Sequence, residues 1–184
     1  MAAPVVNIRE NDNSAQEKGL SMTRLGIYAG TFDPLTLGHL DVVERASRIF
    51  DELIIAVAAS RSKQTWFSLE ERVAIVQESI RSIENARAEP FDGLLVDYAE
   101  SQGVKLIVRG LRAISDFEFE FQMALTNRKL NPEIETVFLM PKEEYSYLTS
   151  SSIREIAEMG GDYSKFVSEP SRRALEMRVG PDKD

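Results

Sequence analysis

The sequence predicts an α/β fold, a doubly wound sheet of five parallel strands with helices on both faces. Two observations lead to this prediction. From Arg24 onward, short segments with the composition of β-strands alternate with segments whose apolar residues recur at helical spacing. The run from Leu53 to Ala58 is almost continuously apolar, as expected of a strand that is buried on both faces.

Five segments are predicted as strands, and the third has the weakest pattern. Crossovers between parallel strands are right-handed, and ligands bind beyond the carboxyl ends of the strands in such sheets. We therefore expect every loop of chemical interest to follow a strand. The predicted strands are Leu25–Ala29, Leu53–Ala58, Ala86–Pro90, Lys105–Arg109 and Glu135–Met140.

The segments between the strands are predicted as helices, and several have recognisable ends. Ser68 and Glu71 form a capping box at the start of the second helix, and Ser115 with Glu118 forms another. Glycine or proline marks several of the helix ends. The first predicted helix follows the first loop and carries the apolar residues from Leu40 to Phe50. The other predicted helices are Ser68 to about Ile83, Gly93 to Ser101, Ser115 to Asn131, Ser150 to Met159 and Ser171 to Met177.

The segment around Phe117 fits two kinds of secondary structure. Phe117, Phe119 and Phe121 alternate with glutamates as in a strand, whereas Phe117, Phe121 and Leu125 follow helical spacing. We predict a helix, because a capping box precedes the segment and Asn131-Pro132 provides a stop.

The composition excludes several classes of function. The chain has 184 residues, 43% of them hydrophobic, which is enough for one domain rather than two. Its apolar runs are far shorter than the roughly 20 residues of a membrane-spanning helix. A net charge of -8 disfavours a broad nucleic-acid-binding surface. The absence of cysteine excludes disulfides, thiolate metal sites and a cysteine nucleophile.

Residues 1–21 are expected to be a flexible extension that precedes a single domain of residues 22–184. The extension is polar between Asn11 and Lys18 and lacks the features of a signal peptide, so a cytoplasmic location is the default expectation. Met22 opens the first periodic stretch. Three interpretations of residues 1–21 therefore stay open: a natural extension, an alternative translation start or added sequence.

The loop after the first strand is the strongest candidate for an anion site. It reads Gly30-Thr31-Phe32-Asp33-Pro34-Leu35-Thr36-Leu37-Gly38-His39 and leads into a helix. A helix start exposes unpaired N–H groups, so an anion can bind there, against these donors and the Thr31 hydroxyl. Gly38 would let the backbone come close to it. We interpret Asp33 as structural, because Asp-Pro in a tight turn forms local hydrogen bonds.

His39 is the only histidine of the chain and lies in the first turn of that helix. A lone histidine is commonly a packing residue. Next to helix-start amides and a threonine, however, an imidazole can donate to a phosphoryl oxygen whose charge grows in a transition state. The two common glycine-rich phosphate signatures are absent, which argues against dehydrogenase and P-loop functions.

Further hydrogen-bond donors follow other predicted strands. Lys63 lies in a polar loop after the second strand, and Arg109 and Arg112 flank Gly110 after the fourth. An arginine at the end of a buried strand is costly unless it meets an anion. Four hydroxyl residues, 149–152, can cap the next helix and form an anion site at the same time.

Taken together, these motifs resemble the nucleotidylyltransferase superfamily, and most closely its bacterial phosphopantetheine adenylyltransferases. The superfamily motif is His-x-Gly-His, and Thr36 replaces its first histidine here. The segments Arg109–Arg112, Asp116–Glu118 and Tyr145–Ser151 match in the same order, and the likeness extends from Thr23 to about Met177. Two residues depart from the family pattern, Pro90 where glycine is frequent and Thr149 where serine is usual.

The resemblance implies a Rossmann-like nucleotidylyltransferase fold and transfer of AMP from ATP to 4′-phosphopantetheine, which yields dephospho-coenzyme A and pyrophosphate. The nucleophile is a phosphate already ionised at neutral pH, so the reaction needs no general base but must overcome repulsion between two anions. We expect direct in-line displacement without a covalent intermediate. The resemblance further implies Mg²⁺ carried on the ATP phosphates, a homohexamer and inhibition by coenzyme A.

The resemblance also assigns site residues, none of them a metal ligand. Glu120 is assigned to the nucleotide site, although its sequence context alone favours a solvated helix residue. The catalytic residues are His39, Thr31, Lys63 and Arg112, and the phosphopantetheine site comprises Thr31, Lys63, Leu95 and Arg109. The ATP site comprises Thr31, Phe32, His39, Gly110, Leu111, Arg112, Glu120, Tyr145, Ser146, Tyr147, Leu148, Thr149, Ser150 and Ser151.

Two other functions remain open. A related enzyme could act on nicotinate mononucleotide or on a sugar or glycerol phosphate, although such enzymes usually keep the histidine that Thr36 replaces. A module that binds ATP or coenzyme A without catalysis would release no pyrophosphate when phosphopantetheine is added.

Overall fold

The computed structural model describes residues 23–59, 64–112 and 114–180. Five parallel strands form one sheet in the order β3-β2-β1-β4-β5, with helices on both faces, which confirms the predicted fold class. The predicted extension, residues 1–21, lies outside the described residues. The strands are β1 (Leu25–Gly30), β2 (Glu52–Ala58), β3 (Ala86–Phe91), β4 (Leu106–Gly110) and β5 (Glu135–Leu139).

Six α-helices accompany the strands in the described part of the chain, and none of them has the length and hydropathy needed to cross a membrane. Short 3-10 turns precede α5 and α6. The helices are α1 (Leu37–Ser47), α2 (Leu69–Ser79), α3 (Leu95–Ser101), α4 (Ile114–Leu130), α5 (Ser150–Glu158) and α6 (Glu169–Val179).

The core consists of two buried apolar clusters, one on each face of the sheet. Successive side chains of a strand point to opposite faces, so Tyr28 of β1 belongs to the cluster under α1, α2, α5 and α6, whereas Ile27 belongs to the cluster under α3. Both faces of β2 are therefore covered and Leu53 to Val57 are all buried, which explains the continuous apolar pattern of this strand in the sequence.

The ambiguous segment around Phe117 is helical, as predicted. The rings of Phe117 and Phe121, four residues apart on α4, stack with their centroids 5.6 Å apart. The predicted capping box at Ser115 is wrong, because α4 already includes Ile114 and Ser115 therefore lies inside the helix.

Several other helix boundaries differ from the prediction by a few residues, among them those of α3 and α2. Gly93 has a φ of +94°, which is incompatible with a right-handed helix, so α3 begins two residues later, at Leu95. Helix α2 ends at Ser79 rather than near Ile83, because the backbone leaves the helical conformation at Ile80, with φ -98° and ψ 7°, and the next residues form turns before β3. The capping box of Ser68 and Glu71 is confirmed.

Candidate active site

A cavity of about 630 Å³ opens at the carboxyl ends of the strands, next to β1 and β4. From β1 to β3 successive strands are added on one side of β1, whereas β4 and β5 are added on the other side. The topological switch point thus lies between β1 and β4, and this is the usual ligand site of a doubly wound fold. The starts of α1 and α5 and one face of α4 complete its walls. The predicted site residues that line it are Thr31, Phe32, His39, Leu95, Arg109, Gly110, Arg112, Glu120, Leu148, Thr149, Ser150 and Ser151.

Four predicted site residues in the described part of the chain are not among the residues that line this cavity. Lys63 lies outside the described residues. Tyr147 is largely exposed and packs edge-on against Phe166, and the Ser146 hydroxyl donates to the carbonyl of Glu143. Contacts with ATP stay predictions for these four residues, and the catalytic and phosphopantetheine-binding role of Lys63 stays a prediction too. The four residues are Leu111, Tyr145, Ser146 and Tyr147.

The start of α1 fixes the orientation of His39. Thr36 is the N-cap of the helix: its hydroxyl accepts the backbone N–H of His39, and its own N–H donates to Nδ1 of His39 at 3.1 Å. Because Nδ1 accepts this bond, the ring proton of the neutral imidazole is on Nε2. Thr36 thus caps the helix at the position where the superfamily motif has its first histidine.

The imidazole of His39 is uncharged at neutral pH. Burial lowers the pKa of His39 to about 4, and the positive charges of Arg112 and Arg109 act in the same direction. The ring packs edge-on against Phe32, with 5.3 Å between centroids. His39 therefore presents a neutral N–H donor to the cavity rather than a positive charge.

Gly38 is needed for a reason that sequence analysis did not anticipate. A Cβ at this position would lie 3.2 Å from the carbonyl oxygen of Tyr145. The close approach that Gly38 permits is thus made by the loop before α5. This contact places the starts of α1 and α5 next to each other.

Arg109 is held by a carboxylate. Its Nε and Nη2 donate to the two oxygens of Glu120 at 2.6 and 2.7 Å, and its Nη1 donates to the carbonyl of Ala29 at 2.8 Å. Only 12% of the Glu120 side chain is exposed. The interpretation of Glu120 as a solvated helix residue is therefore wrong, because this carboxylate orients Arg109.

Arg112 is fixed in a similar way. Its Nε donates to Asp116 at 2.9 Å and its Nη1 to the carbonyl of Leu148 at 2.7 Å. Asp116 belongs to one of the sequence motifs, but its position in the sequence did not indicate this role. Both guanidinium groups thus have defined positions, and their positive charge is partly balanced by carboxylates.

The first turn of α5 also borders the cavity. Thr149 is its N-cap and accepts the backbone N–H of Ser152 at 2.9 Å, as the hydroxyl run predicts. The hydroxyl of Ser150 donates to the carbonyl of Pro34 at 2.8 Å and so ties this turn to the first loop. Two helix N-termini, those of α1 and α5, therefore border one cavity, which favours an anionic ligand.

Arg72 and Tyr28 were missed by sequence analysis. Arg72 is 2% exposed and donates to the carbonyls of Thr31, Ala58 and Phe67, so it holds the ends of β1 and β2 together. Its place within the helical pattern of α2 gave no signal of this contact. Tyr28 lines the cavity from β1, where the sequence pattern indicated only an apolar strand.

No group of three or more His, Cys, Asp or Glu side chains in the described ranges is arranged to hold a metal ion. The two acidic residues of the cavity that lie closest to its arginines, Asp116 and Glu120, are both engaged in ion pairs. The donors that face the cavity are therefore suited to phosphate oxygens rather than to a bare cation.

A comparison with solved structures supports the fold. A bifunctional NMN adenylyltransferase/ADP ribose pyrophosphatase from Francisella tularensis superposes with a TM-score of 0.64 at 15% sequence identity, over 85% of this chain and 49% of that chain. At this identity the likeness shows the fold alone.

Sequence comparisons give the family. The family model described as cytidylyltransferase-like matches residues 27–156. A phosphopantetheine adenylyltransferase of Methylococcus capsulatus is 56% identical over 154 residues, which cover 84% of this chain and 95% of that protein. One of Alkaliphilus metalliredigens is 50% identical over 155 residues, which cover 84% of this chain and 99% of that protein. The chain therefore belongs to the phosphopantetheine adenylyltransferases, a group of cytidylyltransferase-like proteins.

Proposed function

We propose that this chain transfers the adenylyl group of ATP to 4′-phosphopantetheine and releases dephospho-coenzyme A and pyrophosphate, a step of coenzyme A synthesis. The relatives named above carry this activity in their names. The observation that carries the proposal is the convergence of two helix N-termini, a neutral histidine and two oriented arginines on one cavity.

The reaction is a direct displacement at phosphorus. A phosphate oxygen of phosphopantetheine bonds to the α-phosphorus of ATP, and the bond from that phosphorus to the oxygen bridging to the β-phosphate breaks, so that pyrophosphate leaves with its electron pair. Because the attacking oxygen is already ionised, the enzyme acts by positioning and by charge stabilisation.

Each group of donors has its own part in this reaction. The Nε2–H of His39 and the Thr31 hydroxyl hold the α-phosphoryl group, where negative charge grows. Arg112, Ser150 and Ser151 hold the departing pyrophosphate. Arg109 and Leu95 bind phosphopantetheine. Lys63 contacts both the attacking phosphate of phosphopantetheine and the phosphoryl group that is transferred. The remaining contacts with ATP come from Phe32, Gly110, Leu111, Glu120, Tyr145, Ser146, Tyr147, Leu148 and Thr149.

Mg²⁺ enters this reaction as part of the nucleotide substrate. It lowers the charge of the triphosphate and binds mainly to phosphate oxygens and water. The arginines and helix N-termini of the cavity would meet the phosphate oxygens that the ion leaves free.

The enzyme works in the cytoplasm as a homohexamer, and coenzyme A, which resembles the product, inhibits it. Support for self-association comes from α4, which exposes more apolar side chains than an isolated domain normally leaves in water. These side chains are Phe117, Phe119, Phe121, Met123, Leu125 and Leu130.

Pyrophosphate release tests the reaction. The purified protein is incubated with Mg²⁺, ATP and one phosphate acceptor at a time: 4′-phosphopantetheine, nicotinate mononucleotide or glycerol phosphate. We expect release only with phosphopantetheine, together with dephospho-coenzyme A identified by mass spectrometry. Release with another acceptor instead would indicate the related transferases, and ATP binding without release would indicate a nucleotide-sensing module.

A further inference from the structure

The Tyr28 hydroxyl is a polar group of the cavity to which the mechanism above gives no role. Tyr28 lies on β1, is 5% exposed and lines the cavity together with Arg109 and Arg112. None of the described residues forms a hydrogen bond with its hydroxyl. Every fully buried side-chain nitrogen or oxygen in the described part of the chain has a partner, so a hydroxyl oxygen with none among these residues keeps some accessible surface, and Tyr28 lines the cavity.

The packing of the ring does not explain the presence of the hydroxyl. The ring belongs to the buried cluster under α1 and packs edge-on against Phe32, with 5.5 Å between centroids. A phenylalanine would make the same contacts. Since withdrawing a phenol O–H from bulk water without a partner is unfavourable, the hydroxyl calls for a partner that binds in the cavity.

The surroundings of the hydroxyl indicate the charge of that partner. The oxygen lies against Gly110, at 3.4 Å from where a Cβ of that residue would be. Gly110, the last residue of β4, lies between Arg109 in the same strand and Arg112 just after it, and both arginines line the cavity. Phe32 links the Tyr28 ring to the ring of His39 through two edge-on contacts. An anion near these groups would meet both the arginines and the phenol O–H.

The hydroxyl keeps its proton under the conditions of the reaction. Burial raises the pKa of Tyr28 well above its usual value, and this effect exceeds the opposing effect of the two arginines. The group is therefore a donor at neutral pH.

We propose that the Tyr28 hydroxyl is a further substrate-binding group of this site and donates a hydrogen bond to a phosphate oxygen of ATP. The proposal rests on the proposed function, because it takes ATP as the ligand. Hydrogen bonds to charged oxygens are stronger than those between neutral groups, so one missing donor has a measurable effect.

The test is the substitution Tyr28→Phe, which removes only the hydroxyl. Calorimetric titration with MgATP in the absence of any acceptor should show an affinity roughly 10- to 100-fold weaker than wild type. The KM for ATP should rise in parallel, while the KM for phosphopantetheine changes little. The melting temperature should stay equal to wild type or rise, because the hydroxyl has no partner among the described residues.

Tyr163→Phe is the matched control. Tyr163 is fully buried outside the cavity, and its hydroxyl donates to the carbonyl of Gly180 at 3.4 Å. This variant should bind ATP as wild type does and should show, at most, a lower melting temperature.

The outcomes separate this inference from the proposed function. A Tyr28→Phe protein whose ATP affinity and kcat/KM are both within twofold of wild type would overturn the inference and leave the proposed function untouched. A wild-type protein that binds ATP but forms no dephospho-coenzyme A would overturn the proposed function. The ATP affinities of the wild type and of Tyr28→Phe would still show whether the Tyr28 hydroxyl binds ATP. A wild type that does not bind ATP would overturn both.

Discussion

The carboxylate of Asp33 accepts a hydrogen bond from Nη1 of Arg154 at 3.1 Å, and this ion pair joins the loop after β1 to helix α5. The same carboxylate accepts the backbone N–H groups of Trp66 and Phe67. Asp33 is 3% exposed. It is structural, as its place before a proline suggested, but its partners are distant in the sequence rather than local.

Asp33→Asn should destabilise the fold by about 3 kcal/mol, because it leaves Arg154 without its charged partner and replaces one acceptor oxygen by a donor. Urea unfolding measures this change. Asp51→Asn, which removes an exposed ion pair with Arg24, is the control and should change the unfolding free energy much less. Equal changes in the unfolding free energy of the two variants would show that the buried ion pair of Asp33 stabilises the fold no more than the exposed one of Asp51.

His39→Ala should lower kcat by about 100- to 1,000-fold, because one preorganised donor to the α-phosphoryl group is lost. Circular dichroism should show an unchanged fold, since the Thr36 hydroxyl still caps α1. Steady-state rates of pyrophosphate release measure the effect. Near-normal turnover of this variant would remove His39 from the proposed mechanism.

The low pKa of His39 also predicts a pH dependence of stability. The folded pKa is about 4, whereas an unfolded histidine titrates near pH 6.5, so the unfolded chain binds more protons at this residue between these values. The contribution of His39 to stability is thus complete above about pH 6.5 and is lost as the pH falls towards 4, by up to about 1.4 kcal/mol for each pH unit.

His39→Asn isolates this effect, because an amide oxygen can replace Nδ1 as the acceptor for Thr36 but does not titrate. The free energy of unfolding is measured at pH 7.5 and at pH 5 for both proteins. We expect the wild type to lose more stability than the variant. A loss of equal size in the two proteins would show that His39 does not contribute to the acid sensitivity.

Glu120→Gln should raise the KM for phosphopantetheine by roughly tenfold, because the bidentate ion pair that orients Arg109 is lost while the shape of the side chain is kept. A smaller decrease in kcat is expected. Glu118→Gln, an exposed position two residues away on α4, is the control and should leave both constants unchanged. The KM for ATP should rise as well, because Glu120 is also assigned to the ATP site. A rise in the KM for ATP alone would show that Glu120 does not act through Arg109.

Phe121→Glu should break the proposed hexamer into smaller species, because it puts a charge into the exposed apolar surface of α4. Light scattering after size-exclusion chromatography measures the mass. The control is Met177→Glu on α6, where the side chain is more exposed than that of Phe121, 84% against 46%; this variant should keep the mass of wild type. A Phe121→Glu protein of unchanged mass would exclude this surface from the interface.

The sequence by itself determined the order and type of the elements, because strand burial and helix periodicity are local patterns that each segment carries alone. It also placed His39 in the first turn of α1 and Thr149 at the start of α5, because capping depends on residues three or four positions apart.

Contacts between distant segments were decided only by the tertiary structure. Examples are the pairing of Arg109 with Glu120, the bonds from Arg72 to the ends of β1 and β2, and the placement of Tyr28 at the cavity. Burial and charge compensation depend on which segments pack together, and no spacing along the chain encodes that. For this reason a strand that the sequence marks only as apolar supplies a polar group to the site.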